Sequence, residues 1–174
     1  MRKIIAILFC CAALASAQGP RRAPGFALPD IRMLTGHTDG QFHDLADYRG
    51  KVVVLEFFQT TCAHCAAFAN ILAQVETKYG DKVAILAVAN INTDNAAQVD
   101  QFVSGHKISY PVLLDQGQMM FSYVRSPGRA DLPHVYVIDP NGYIRADYVY
   151  DVTSRDIFEG KGIFTEIDKV LAKK

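Results

Sequence analysis

Apolar and polar positions along the chain change period several times. Lys51 to Phe58 reads KVVVLEFF, a nearly continuous apolar and β-branched run, which predicts a strand buried on both faces. From Cys62 to Tyr79 the apolar positions (Cys65, Phe68, Ala69, Leu72, Val75) fall at helical spacing, and Gly80 follows as a stop. Val83 to Val88 is a second apolar run. Asn95 to His106 is amphipathic at helical period, with Ala97, Val99, Phe102 and Val103 on one side. Tyr110 to Leu114 predicts a short strand and Gln116 to Tyr123 a helix. Pro133 opens the strand His134–Ile138, and Asp139-Pro140-Asn141-Gly142 is a turn. Tyr143 to Tyr150 alternates and returns as a hairpin. Ile163, Ile167, Val170 and Leu171 give a last helix one apolar face.

Ahead of this core the pattern is weaker. Phe26 to Leu34 predicts an irregular strand broken by Pro29, Thr35 to Gly40 a turn, and Gln41 to Tyr48 a short strand with a helical turn. Strands alternating with helices predict an α/β domain of three layers, helices on both sides of a mixed central sheet with an antiparallel edge.

Residues 1–17, MRKIIAILFCCAALASA, follow a different rule. A short basic start (Arg2, Lys3), an apolar run from Ile4 to Leu14 and an Ala15-Ser16-Ala17 ending have the pattern of a secretory signal peptide. The run is shorter than the roughly 20 residues of a membrane span; an uncleaved N-terminal anchor is the alternative. Residues 18–25 read as a linker and 26–174 as the domain. The mature chain is expected to be soluble and outside the cytoplasm, in the periplasm or an equivalent compartment, where disulfides persist.

Composition narrows the function. The chain has 174 residues with 18 basic and 18 acidic side chains, and this balance argues against a nucleic-acid partner. Of its four cysteines, Cys10 and Cys11 lie in the leader, which leaves Cys62 and Cys65. They sit in Cys62-Ala63-His64-Cys65, where strand passes to helix. A thiol at a helix N-terminus faces unpaired amides and the positive end of the dipole, which favours the thiolate of Cys62. Cys65, one turn on, is placed to form a disulfide with Cys62 or to attack a mixed disulfide there. His64 adds a donor or positive charge. A zinc half-site, an inert structural disulfide and a copper site using both thiols and a histidine are competing readings.

Glu56 lies inside the apolar run six residues before Cys62, where a charge is costly; a buried carboxyl there has a raised pKa and can exchange a proton with Cys65. The bland alternative is a glutamate facing solvent. Pro133 either starts its strand or carries a cis bond that leaves the Leu132 backbone free for an extended peptide. His37 and His43 read as surface residues, and His106 as a helix-end cation. His134 is equally suited to either face of its strand, and Met119-Met120-Phe121 reads as core.

These segments, in this order, resemble the thioredoxin-like proteins of the TlpA/ResA type within the redoxin group, relatives of alkyl hydroperoxide reductase and thiol-specific antioxidant. The resemblance runs from about Pro24 to Leu171. Phe26–Asp30, DYRGKVVVLEFF ending at Phe58, TTCAHC at 60–65, YPVLLD at 110–115 and LPHVYVIDPNGYI at 132–144 carry it. It implies a thioredoxin fold with an N-terminal extension and a central insert, and thiol–disulfide exchange without a bound cofactor or metal. Cys62 is then the nucleophile, Cys65 the resolving thiol, Pro133 a cis-proline and Glu56 a buried acid. The implied partners are protein thiols and disulfides and a membrane electron donor or acceptor, with the chain monomeric. Thr61 stands where such proteins usually carry tryptophan, and His64 resembles the residue of oxidising disulfide-forming enzymes. Leu55 and Gln59 replace the proline and threonine of the peroxidase branch, which argues against peroxidase activity.

Overall fold

The computed structural model describes residues 20–90, 93–124 and 131–173. The expected leader at 1–17, with Cys10 and Cys11, lies outside the described residues. Among those described, no helix is long and apolar enough to cross a membrane.

Strand β3 (Val52–Phe58) is buried along its whole length because it has neighbours on both edges and helices or loops on both faces. It pairs in parallel with β4 (Val83–Asn90) and antiparallel with β6 (His134–Ile138). Beyond them lie β5 (Val112–Asp115), parallel to β4, and β7 (Ile144–Val149), antiparallel to β6, giving the order β5-β4-β3-β6-β7. The mixed three-layer architecture and its antiparallel edge are thus as the pattern predicts.

Alternation along β3 sorts its side chains into two cores. Val52, Val54 and Phe58 pack with α2 (Ala63–Tyr79), α3 (Ala96–His106), α5 (Arg155–Glu159) and α6 (Gly162–Leu171). Val53, Leu55 and Phe57 pack beneath α4 (Gln118–Tyr123) and the N-terminal segment. Helix α3 follows β4 and leads to β5, and it begins in a reciprocal cap between Asn95 and Gln98.

The N-terminal segment departs from the expected irregular strand. β1 (Ala27–Pro29) stops where Asp30 caps the short helix α1 (Ile31–Leu34), its carboxylate accepting from Arg32 N. β2 (Phe42–Asp44) then pairs back on β1. Within the expected linker, Arg21 to Ala23 runs beside the β6–β7 turn: Ile144 N donates to Arg21 O at 2.8 Å and Ala23 N to Gly142 O at 2.9 Å.

Two side chains correct the sequence reading. His43 is buried, 5% exposed, because its Nδ1 meets Tyr48 Oη at 2.5 Å and its Nε2 faces Asp30 at 3.5 Å. Phe121 is 82% exposed, since the six-residue α4 turns only Met119 and Tyr123 fully into the core. Helix α5 has no clear period in the sequence and was not expected.

Candidate functional site: a dithiol pair at a helix start

The buried run of β3 ends at Phe58, and a tight turn carries the chain to Cys62, the N-cap of α2. That turn is held from outside the motif. The buried Asp94 accepts Thr60 N at 3.1 Å and the Thr60 hydroxyl with its other oxygen. Thr61 projects into solvent.

Cys62 and Cys65 are joined as a disulfide with their Cα atoms 5.2 Å apart. The two sulfurs live in different surroundings. Cys62 is partly exposed, and its Sγ accepts the Cys65 amide at 3.2 Å, so a thiolate there gains a first-turn N–H and the helix dipole. Cys65 is 1% exposed and belongs to the α2-side core. An incoming group therefore reaches Cys62 first.

The loop before β6 closes one side of the pair. The Leu132–Pro133 peptide is cis, and Leu132 O lies 3.8 Å from Cys62 Sγ. Pro133 O accepts Tyr150 N at 3.1 Å. His64 is exposed, with its ring stacked on Tyr150 at a centroid distance of 3.9 Å. His134 faces away from the pair: it stacks on Tyr136 of the opposite core and bonds Asp147 at 2.6 Å through Nε2.

Glu56 is 2% exposed, not solvent-facing, and sits in register between Ala87 of β4 and Val135 of β6. By strand alternation it shares the face of Val54 and Phe58, the face on which Cys65 is buried. Its Oε1 has no hydrogen-bond partner, and burial holds its carboxyl well above the usual range, which favours the protonated form. Tyr110 is buried on the same side with an unpartnered hydroxyl; burial, then the Glu56 and Glu76 carboxylates, raise its pKa. Among the described residues, no three His, Cys, Asp or Glu side chains cluster so as to hold a metal.

The structure thus brings Cys62, Cys65, Leu132 and Pro133 together, and sets Glu56 on the sheet face where Cys65 is buried. Sequence reasoning missed Asp94 and Tyr150. Asp94 sits in a polar stretch that reads only as a helix start, and Tyr150 reads only as the end of an alternating strand.

Fold and pair define a dithiol oxidoreductase of thioredoxin type. The sequence matches the AhpC/TSA family over residues 21–147, and the chain belongs to that family. It is similar to the thiol-disulfide oxidoreductase ResA of Geobacillus thermodenitrificans, 33% identical over 139 residues that span 78% of this chain and 71% of the relative. It is also similar to the thioredoxin-like protein YneN of Bacillus subtilis, 26% identical over 141 residues, 80% of this chain and 76% of the relative. The crystal structure of a thioredoxin-family thiol:disulfide interchange protein from Chlorobium tepidum TLS shares the fold. Its TM-score is 0.66 at 19% identity, covering 87% of this chain and 97% of that one.

Proposed function

We propose that the protein is an extracytoplasmic reductase of protein disulfides. The observation that carries this reading is the asymmetry of the pair: a partly exposed Cys62 at a helix N-terminus and a buried Cys65 on the face that holds the buried Glu56.

In the reduced protein, the Cys62 thiolate attacks one sulfur of a substrate disulfide. A Cys62–substrate disulfide forms and one substrate thiolate leaves. Cys65, as thiolate, then attacks Cys62 Sγ, the Cys62–Cys65 bond forms, and the second substrate thiolate leaves. Substrate gains two electrons and, from solvent, two protons. A dithiol donor, which we place in the membrane, restores the pair by the reverse exchange. In that step the leaving Cys65 thiolate takes the proton of Glu56, and Glu56 recovers it when Cys65 next ionises. Leu132 and Pro133 flank the substrate chain at Cys62.

One feature supports the reducing direction: among the described residues, Cys62 Sγ is in hydrogen-bond reach of one backbone amide, so its thiolate, and with it the reduced pair, gains little extra stabilisation. The leader pattern at 1–17 supports export, and disulfide chemistry suits the compartment beyond it.

The test is insulin reduction with dithiothreitol as donor. The wild-type protein accelerates it, Cys62→Ser abolishes the acceleration, and Cys65→Ser accumulates a mixed disulfide at Cys62. Acceleration that survives Cys62→Ser overturns the assignment.

A further inference from the structure

Tyr150 follows the end of β7 and joins three segments around the disulfide. Its N–H donates to Pro133 O at 3.1 Å. Its ring lies nearly flat on the His64 imidazole, centroids 3.9 Å apart and planes at 21°. Its hydroxyl donates to Glu159 Oε1 at 2.5 Å, and Arg155 Nε holds the other oxygen of that carboxylate at 3.0 Å. The ring also packs 5.6 Å from Phe158, which meets Phe68 of α2 at 5.0 Å. Backbone, ring and hydroxyl of one residue are each fixed by a different element.

His64 stands between the two cysteines. A histidine cation in contact with the Cys62 sulfur stabilises the thiolate and so the reduced pair, which makes a dithiol more oxidising. In this structure the imidazole is engaged elsewhere. Among the described residues, the groups in hydrogen-bond reach of Cys62 Sγ are the Cys65 amide and the Leu132 carbonyl. The imidazole is stacked on Tyr150, whose hydroxyl is held by the Glu159 carboxylate that Arg155 also binds.

We infer that Tyr150 is a positioning residue that holds His64 away from the Cys62 thiolate and thereby keeps the pair reducing. The inference rests on the dithiol-exchange reading and deepens it. It also gives the Ala63-His64 dipeptide a meaning of its own: the histidine is present, but the fold has given its ring another partner.

The experiment equilibrates the protein with glutathione buffers at pH 7, where protein disulfide and two glutathione thiols give protein dithiol and glutathione disulfide. Tyr150→Leu frees the imidazole. The equilibrium constant is expected to shift at least tenfold toward the dithiol, about 30 mV, and the Cys62 thiolate, followed by its alkylation rate, to persist to lower pH. Tyr150→Phe keeps the stack and is expected to stay within about threefold of wild type. His64→Ala, a change at an exposed side chain, is also expected within about threefold, and Tyr150→Leu added to it to give no further shift.

An unchanged potential in Tyr150→Leu overturns the inference. So does a tenfold change on His64→Ala alone, because His64 would then already act on the thiolate. An equal shift from Tyr150→Leu with and without His64 does the same, because the tyrosine would then act only as packing. Failure of the exchange reading would show separately, as wild-type protein that does not accelerate insulin reduction while its potential remains measurable.

Discussion

Two buried carboxyls, Glu56 within β3 and Asp139 just past the end of its partner strand β6, face opposite fates. Asp139, 6% exposed, opens the β6–β7 turn. Its Oδ1 accepts Asn141 N and Tyr143 N, each at 2.9 Å, and its Oδ2 accepts Arg145 Nε at 2.7 Å and Nη2 at 2.6 Å. Burial opposes its ionisation, but the bonds from Tyr143, Arg145 and Asn141 outweigh it and hold the pKa below the usual carboxylate range. Glu56 has similar burial, an unpartnered oxygen and no such counter-charge, and its pKa goes the other way. Burial alone therefore does not decide what a carboxyl becomes. Asp139 is an anion that ties a turn, whereas burial holds Glu56 toward its protonated form, on the sheet face where Cys65 is buried.

Removing the anion from its donors is the most disruptive change. Asp139→Ala leaves the turn amides and a partly buried guanidinium unpaired, and is expected to cost about 3 kcal/mol in urea unfolding of the oxidised protein. Glu56→Leu should do the reverse. It replaces a poorly satisfied polar group by an apolar one in an apolar core, and is expected to stabilise by about 1 kcal/mol or more at pH 7. If Glu56 serves Cys65 as proposed, the same change should also slow reduction of the Cys62–Cys65 disulfide in stopped-flow exchange, because the leaving Cys65 thiolate would then lose its proton donor. Equal destabilisation by the two substitutions would erase the contrast between these sites.

The smallest effect lies in the pH dependence. Asp139 has a depressed pKa in the fold, so its contribution is present above the ordinary value near 3.8 and is lost as pH falls through the folded value. Glu56 has a raised one, so its contribution is full below about 4.5 and declines as pH rises toward the folded value. Stability measured against pH should therefore fall on both sides. Asp139→Asn should flatten only the acid limb and Glu56→Gln only the limb above pH 4.5. Flattening of the same limb by both would refute the assignment of opposite shifts.

Much of this was legible in the chain. The VVVLEFF run, the helical spacing after Cys62 and the Asp-Pro-Asn-Gly turn placed β3, α2 and the β6–β7 hairpin, because continuous burial, helical period and turn chemistry are local properties. Glu56 was conspicuous for the same reason, a single charge in an apolar run. His43 misled because its polar, turn-like surroundings gave no sign of Asp30 and Tyr48 closing over it. Phe121 misled because an apolar triplet on a six-residue helix cannot put all its members inward. Asp94 and Tyr150 were invisible, since their partners are distant in sequence, Thr60 for the first and Pro133 and His64 for the second.

By itself the sequence determined the α/β class, the thiol pair at a strand-to-helix junction and the oddity of a buried glutamate, since each follows from residue type and spacing within a few turns of chain. Which charges find partners was decided only by tertiary structure. That needs strands and loops distant in sequence to meet, and their meeting gives Asp139 its arginine, leaves Glu56 buried with an unpartnered oxygen, and gives His64 a tyrosine to lie on.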